Sequence, residues 1–356
     1  MARWGNGRDG FAAPGGSLLA PRSSFAAPSA SFDLNPAPPP AHAWSQLTTT
    51  GTPPSIRGFH AACYVPTRSS MFVLGGSTDA VHAIDSTLYE LSDAGAWSTP
   101  TVSGAAPASR FSHTMVYDDT SDCVYVIGGY DNAYLNPGGS AQVYKLVVAT
   151  MTWSNITTFR PSYGAFLSSG AYLGGAANRI VWWPGNPQTT GVPTDTAFSN
   201  IPPTTSGGAA TAWNAYTSTK PTARNSAIVV ADTTRQKVVL IGGNNLDTKT
   251  HESNGTSSNG WTDVTGSITG HYTAREGGCG AWCSTFGSMI FGGDDGTNRL
   301  TATEFYNGTA WTAPAQSVEP SARGRASLVW SSGASRFVLF GGDAAAGYKN
   351  DVWVYS

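Results

Sequence analysis

Five times in this chain a double glycine follows a short apolar run, and each time an arginine stands a near-constant distance before it. The pairs are Gly75-Gly76, Gly128-Gly129, Gly242-Gly243, Gly292-Gly293 and Gly341-Gly342. The arginine precedes the first glycine by 18 residues at Arg57, Arg110, Arg224 and Arg323, and by 17 at Arg275. A recurrence of roughly 50 residues marks a repeat architecture, in which one unit cannot bury its own apolar face and stacks on its neighbours to do so. Residues 110–153 show the unit most fully. Arg110-Phe111-Ser112-His113 opens it, Val124-Tyr125-Val126-Ile127 runs into Gly128-Gly129, Tyr144-Lys145-Leu146 follows, and Trp153 closes it. Short apolar runs bounded by turn residues read as strands buried on both faces.

These motifs resemble a kelch-repeat β-propeller over about residues 43–356. The resemblance implies an all-β, six-bladed ring whose innermost strands surround a central channel. Composition agrees: charged residues are 12% against about 25% in ordinary globular chains, and 42 glycines supply the turns that many short strands need. In blade one, strands are expected at 59–65, 71–74 and 87–91, with Trp97 on the fourth. Blade three is degenerate. Tyr163 takes the arginine's place, and Arg179-Ile180-Val181-Trp182-Trp183 leads into Pro184-Gly185 rather than Gly-Gly. It still counts as a blade, since Gly129 to Gly185 and Gly185 to Gly243 are separated by 56 and 58 residues. Trp44 precedes Arg57 by 13 residues, as Trp97 precedes Arg110, yet no blade comes before it. The chain also ends 14 residues after Gly342, with the last blade short of an outer strand. Residues 43–50 are therefore expected to complete that blade and close the ring, which leaves only short, protected edges.

Residues 1–42 form a Pro/Ala/Ser-rich tail in which Phe11-Ala12-Ala13-Pro14 recurs as Phe25-Ala26-Ala27-Pro28. It has too little periodic apolar surface to fold alone. The expectation is a disordered or extended leader; the functional alternative is a peptide that docks on a larger assembly. Asp33-Leu34-Asn35-Pro36-Ala37-Pro38 resembles a short plant repression motif. Of the other recurring residues, the glycines end inner strands where the backbone needs φ > 0 or a close approach. Each tryptophan is an apolar plug between blades whose indole N–H needs one acceptor. His60 and His113, three residues after their arginines, are expected as core or blade-bridging residues. His42, His82, His251 and His271 share no metal-ligand spacing, so no metal or cofactor is expected. Cys63, Cys123, Cys279 and Cys283 read as buried thiols.

The arginines carry the functional expectation. Each begins an innermost strand, so sixfold repetition would set Arg57, Arg110, Arg224, Arg275 and Arg323, with Tyr163, in a collar at one channel mouth. In kelch substrate adaptors, arginines at matching positions bind acidic peptides, and the guanidinium fork suits a carboxylate. The resemblance thus implies an electropositive mouth that takes an acidic peptide or loop of a protein partner. The competing reading makes each arginine a strut to carbonyls or acids of the blades. A net charge of −2 argues against nucleic acid or an anionic membrane surface as partner, and no apolar run approaches the ~20 residues of a membrane span. No signal-peptide core stands at the start, which favours a cytoplasmic or cytoskeletal place; low charge and sequons at Asn155, Asn254 and Asn307 favour an extracellular one. Neither the copper ligands of galactose oxidase nor the iron array of plant nitrile-specifier proteins is present, and the tail has no room for the BTB, BACK or F-box segments of ligase adaptors. The reading is a non-catalytic protein-binding or scaffold propeller. The alternatives are a secreted or surface glycan-binding propeller, favoured by the low charge and by the exposed aromatics that Tyr130, Tyr134 and Trp182 imply, and a kelch-type enzyme such as a sugar mutarotase or an oxidase-like protein.

Overall fold

The computed structural model describes residues 42–77, 85–131, 142–156, 165–187, 194–200 and 213–356. The tail motifs, His82, Tyr134 and Tyr163 lie outside the described residues. Residues His42–Ser356 form one compact unit. It is an all-β, six-bladed propeller, and each blade is an antiparallel sheet that runs outward from the channel. Blade two is the pattern: Thr114–Asp118, Cys123–Ile127, Val143–Val147 and Thr152–Asn155 pair in that order. The other innermost strands are Ala61–Val65, Ser169–Leu173, Ile228–Asp232, Cys279–Cys283 and Ser327–Ser331. Each lies beside the next around the ring, and the last lies beside the first.

The second strands show why the apolar runs do not alternate. Ser70–Leu74 and Cys123–Ile127 are buried at every position, because a neighbouring blade covers each face of the sheet. The core is accordingly six clusters, one per blade interface. The cluster between blades one and two joins Phe72 and Leu74 to Met115, Val126 and Trp153. The one between blades six and one joins Val329, Phe340 and Val354 to Met71, Val73 and Trp97.

The glycine pairs fasten these interfaces. The second glycine donates its N–H to the main-chain carbonyl of the next blade's arginine: Gly76 to Arg110, Gly243 to Arg275, Gly293 to Arg323 and Gly342 to Arg57, at 2.8–2.9 Å. The first glycine leaves no space for a side chain. At Gly242, φ is +65° and a Cβ would lie 2.3 Å from the Arg275 carbonyl oxygen. In blade three, where Pro184-Gly185 replaces the pair, the Trp183 indole N–H donates to the Arg224 carbonyl at 2.8 Å instead.

The ring closes as the sequence implies. Trp44–Gln46 pairs antiparallel with Gly347–Tyr355, Trp44 opposite Tyr355. The Trp44 side chain is 2% exposed and its indole N–H donates to Thr303 Oγ1 of blade five at 2.8 Å. Trp311 bonds Thr250 Oγ1 in the same manner at 2.9 Å. The expectation that every closing tryptophan finds an acceptor fails at Trp97 and Trp261, whose indole nitrogens have no partner among the described residues. Burial alone holds them in place.

Two truncations test closure. Removal of residues 1–50 takes away Trp44 and the strand beside 347–355, and should lower the melting temperature strongly against removal of residues 1–41. Trp44→Ala alone should cost about 3–5 kcal/mol in denaturant unfolding. Equal melting of the two truncated chains would rule the closure out.

Candidate functional site at the channel mouth

The five arginines lie inside the blades, 0–1% exposed. Each Nε–H bonds the carbonyl two residues back, and each Nη1 donates to the carbonyl of its own blade's first glycine. The acceptors are Gly75, Gly128, Gly242, Gly292 and Gly341, at 2.8–3.0 Å. The forks then meet an acid at or before the third strand. Arg57 pairs with Asp85 at 2.9 Å, Arg224 with Asp247 at 2.8 Å, Arg275 with Glu304, and Arg323 with Asp351 at 3.0 Å. In blade two the matching residue is Gln142, 3.4 Å from Arg110, and Arg110 also lies 4.9 Å over the Tyr144 ring. Burial opposes the charge on Asp351, but Arg323 outweighs it and holds the carboxyl below its ordinary value. This arrangement corrects the collar: the guanidiniums run along the sheets and tie strand to strand, instead of converging on the channel.

The sixth position is corrected as well. Two residues after each arginine stands a residue with positive φ: Phe59, Ser112, Ser226, Gly277 and Arg325. Blade three supplies Leu167 at φ 53°, so Ala165, not Tyr163, holds the arginine's place in the register. Ala165–Phe166 pairs with Asn186–Pro187 just as Arg110–Phe111 pairs with Tyr130–Asp131. These positive-φ residues form the rim of the channel. Main-chain bonds link them around it: Ser112 N–H to Phe59, Phe59 to Arg325, Arg325 to Gly277, Gly277 to Ser226, and Ser226 to Leu167.

The rim is where the repeat stops being sixfold; of its side chains the sequence points as an exposed aromatic only to Tyr130, and Trp182, expected exposed with it, is fully buried. Arg325 lies 5.1 Å over the Phe59 ring. Phe59 meets Phe111 edge-on at 6.2 Å, Phe111 stacks on Tyr130 at 5.3 Å, and Tyr130 lies 4.2 Å from Phe166. One aromatic arc thus spans blades one to three, with Phe59, Tyr130 and Phe166 half-buried; blades four and five offer Ser226 and Gly277. The signal available in sequence was the offset of two from each arginine. The expected positive mouth is not found among the described residues. Among the described residues, Arg299 is paired with Asp294 and Asp343, and Arg325 with Glu276 at 3.4 Å.

Two histidines flank the channel behind this rim. His60 Nε2 lies 2.9 Å from Ser327 Oγ and joins blade one to blade six. Burial, with Arg57 adding to it, pushes His60 down to about 3, and burial with Arg110 drives His113 well below 6.5. His251, in blade four, falls to about 4 for the same first reason.

The comparisons with known proteins agree with this architecture. The family described as the KLHDC2/KLHL20/DRC7 Kelch-repeats domain matches residues 28–181. Acyl-CoA-binding domain-containing protein 5 of Arabidopsis thaliana is 30% identical over 119 residues, 32% of this chain and 16% of that protein. Kelch domain-containing protein 3 of Bos taurus is 32% identical over 136 residues, 36% of this chain and 34% of its own length. Rab9 effector protein with kelch motifs of Mus musculus is 30% identical over 93 residues, 26% and 24% of the two chains. The matched stretch therefore spans a third or less of each relative, to the nearest few per cent. The solved structure of YjhT superposes with a TM-score of 0.58 at 14% identity, over 84% of this chain and 95% of that one, a likeness of fold. No helix among the described residues is long and apolar enough to cross a membrane.

Two outcomes follow from the buried groups. Arg323→Ala removes a guanidinium from five acceptor atoms on Ser321, Gly341 and Asp351 and should cost about 3 kcal/mol, toward the lower end for a buried pair because Asp351 keeps some solvent; denaturant unfolding measures it. The histidines set an acid limit. Unfolded, they titrate near 6.5; folded, at about 3 and 4 for His60 and His251, and well below 6.5 for His113. Between these values the unfolded chain binds more protons, so stability rises with pH there and is lost on acidification. The expected slope is up to about 1.4 kcal/mol per pH unit per histidine. His113→Gln should flatten the profile of unfolding free energy just below about pH 6.5 by one histidine's share.

Proposed function

We propose that the chain, which belongs to the kelch-repeat β-propellers, is a non-catalytic module that recognises a protein partner on the face bearing the channel mouth. The observation that carries this reading is the aromatic arc from Phe59 through Phe111 and Tyr130 to Phe166. Large rings dominate binding energetics when a partner covers them. Here they sit at the ends of short strand pairs on a rigid ring, which suits recognition without rearrangement. Among the described residues the arc occupies one side of the mouth, so it gives a partner a direction as well as an area. Arg325 stands at one end of it, over Phe59. The acidic peptide anticipated from the arginine collar is not part of this reading, because four of those arginines already face acids of their own blades. Of the relatives, one is by name an effector of Rab9, which agrees with a protein-binding role.

Affinity capture from native lysate tests the proposal, with full-length chain and a Tyr130→Ala/Phe166→Ala variant as baits. The wild type should retain a stoichiometric protein. The variant, with unchanged melting temperature, should retain at least about tenfold less, as expected when a hot-spot contact of ~2 kcal/mol is lost. The same flat rings could face sugars. Binding to a glycan array that is lost in the variant, with no protein retained by the wild type, would overturn the protein reading in favour of a glycan one.

A further inference from the structure

We propose that the cavity inside the rim is a socket for one uncharged apolar side chain, of leucine or phenylalanine size, that the protein partner inserts. The inference rests on the partner reading above and adds the chemistry of the group that enters. The cavity measures about 130 Å³. It exists because blades four and five put only Ser226 and Gly277 at the rim positions where blades one and three put Phe59 and Leu167. Ala227 and Ala326 continue the wall inward. The rim backbone is fixed by its bonds around the ring, so the space is built in advance of any ligand.

The occupant's class follows from what the polar groups around the cavity still have to offer, which is little. Five of the rim N–H groups donate to the carbonyl of another blade's rim residue. Ser226 Oγ donates to Asn225 Oδ1, Ser168 Oγ and Thr114 Oγ1 bond each other, and Ser169 Oγ accepts from the Val229 N–H, all at 3.0 Å. Ser112 Oγ, both His113 ring nitrogens, and Nε and Nη1 of Arg325 are buried out of a ligand's reach, and Nη2 of Arg325 faces Glu276. A polar ligand would give up its water here for few new bonds, which is costly. An apolar one gives up no bonds and takes carbon surface out of water. Depth limits its size. Further in, Thr114, Ser168, Ser169 and Ser327 line a second cavity of about 150 Å³, where hydroxyls replace the apolar wall. The socket is therefore one side chain deep, and an apolar cavity of ~150 Å³ holds a benzene. A single ring or a branched aliphatic group meets these conditions. Set beside the aromatic arc, it is the kind of desolvated anchor in which binding energy concentrates.

The probe is benzene, with pyrazine as a polar ring of the same size, titrated into the full chain and followed by protein-observed NMR. Benzene should shift the Leu167 and Ala227 methyl resonances saturably, and pyrazine should bind at least about tenfold more weakly. Ser226→Leu fills the cavity with the residue that blade three carries at the same backbone conformation, φ 53° at both positions, and should weaken benzene at least about tenfold. Leu167→Asn, chosen because asparagine tolerates positive φ, should weaken it a few-fold. The Tyr130→Ala/Phe166→Ala variant should bind benzene as wild type does. In capture from lysate, Ser226→Leu with unchanged melting temperature should retain at least about tenfold less partner. No saturable shift up to about 10 mM, where even a weak site would show, or pyrazine bound as tightly as benzene, overturns the socket. Loss of benzene in Ser226→Leu with the partner fully retained overturns the side chain as occupant, in favour of a free apolar molecule. A wild type that binds benzene and retains no protein overturns the partner reading and the side chain with it, while the cavity stays an apolar site. If Ser226→Leu does not fold, Leu167→Asn decides in both arms.

Discussion

The ring depends on one main-chain contact, the N–H of a glycine donating to the carbonyl of the next blade's arginine. That carbonyl is available because the arginine side chain turns the other way, into its own blade, where it holds the first glycine's carbonyl and an acid near the third strand. Each arginine thereby joins two blades at once, one through its side chain and one through its backbone. The approach is so close that no Cβ fits at Gly242. Four blades combine the glycine pair, the arginine and an acid, blade two has Gln142 in the acid's place, and a chain with few charges uses many of them in this way.

Repetition explains which parts of this structure were legible in the sequence. Strands, blade count and closure followed from spacings alone, since a pattern copied five times is its own control. Trp44 was readable because its distance to Arg57 equals that of Trp97 to Arg110. The arginines themselves were misread because spacing places a residue on a strand without saying which way its side chain turns. The deciding partners were the acids, which stand 28 residues after Arg57 and Arg323, 29 after Arg275 and 23 after Arg224. That variation hid them. Tyr163 was misplaced for a related reason. Without an arginine in blade three, only the backbone could set the register, and the positive φ of Leu167 sets it two residues further along than the motif suggested.

The rim shows the other side of the same argument. Positions two after each arginine share a backbone conformation that costs about 1 kcal/mol or more for a residue other than glycine, yet only blade five uses glycine there. The fold fixes the main chain at these positions and leaves the side chain open. Apart from the two serines, Phe59, Ser112, Leu167, Ser226 and Arg325 share no side-chain chemistry, so only their offset from the arginines, not their residue type, could mark them in the sequence. Structural residues recur in this chain, and candidate binding residues are those that do not.

Closure through Trp44 and Tyr355 also dictates an order of events during synthesis. The strand that includes Trp44 leaves the ribosome among the first residues of the propeller, and its partner strand is among the last. Through nearly the whole of translation, Trp44 has no neighbour to cover it, and the innermost strands of blades one and six cannot meet. The final step of assembly is therefore long-range, and contacts of such high sequence separation form slowly. A chain interrupted anywhere before blade six is an open arc with two bare blade faces, so the apolar runs that make the finished ring stable make its unfinished precursor a client for chaperones.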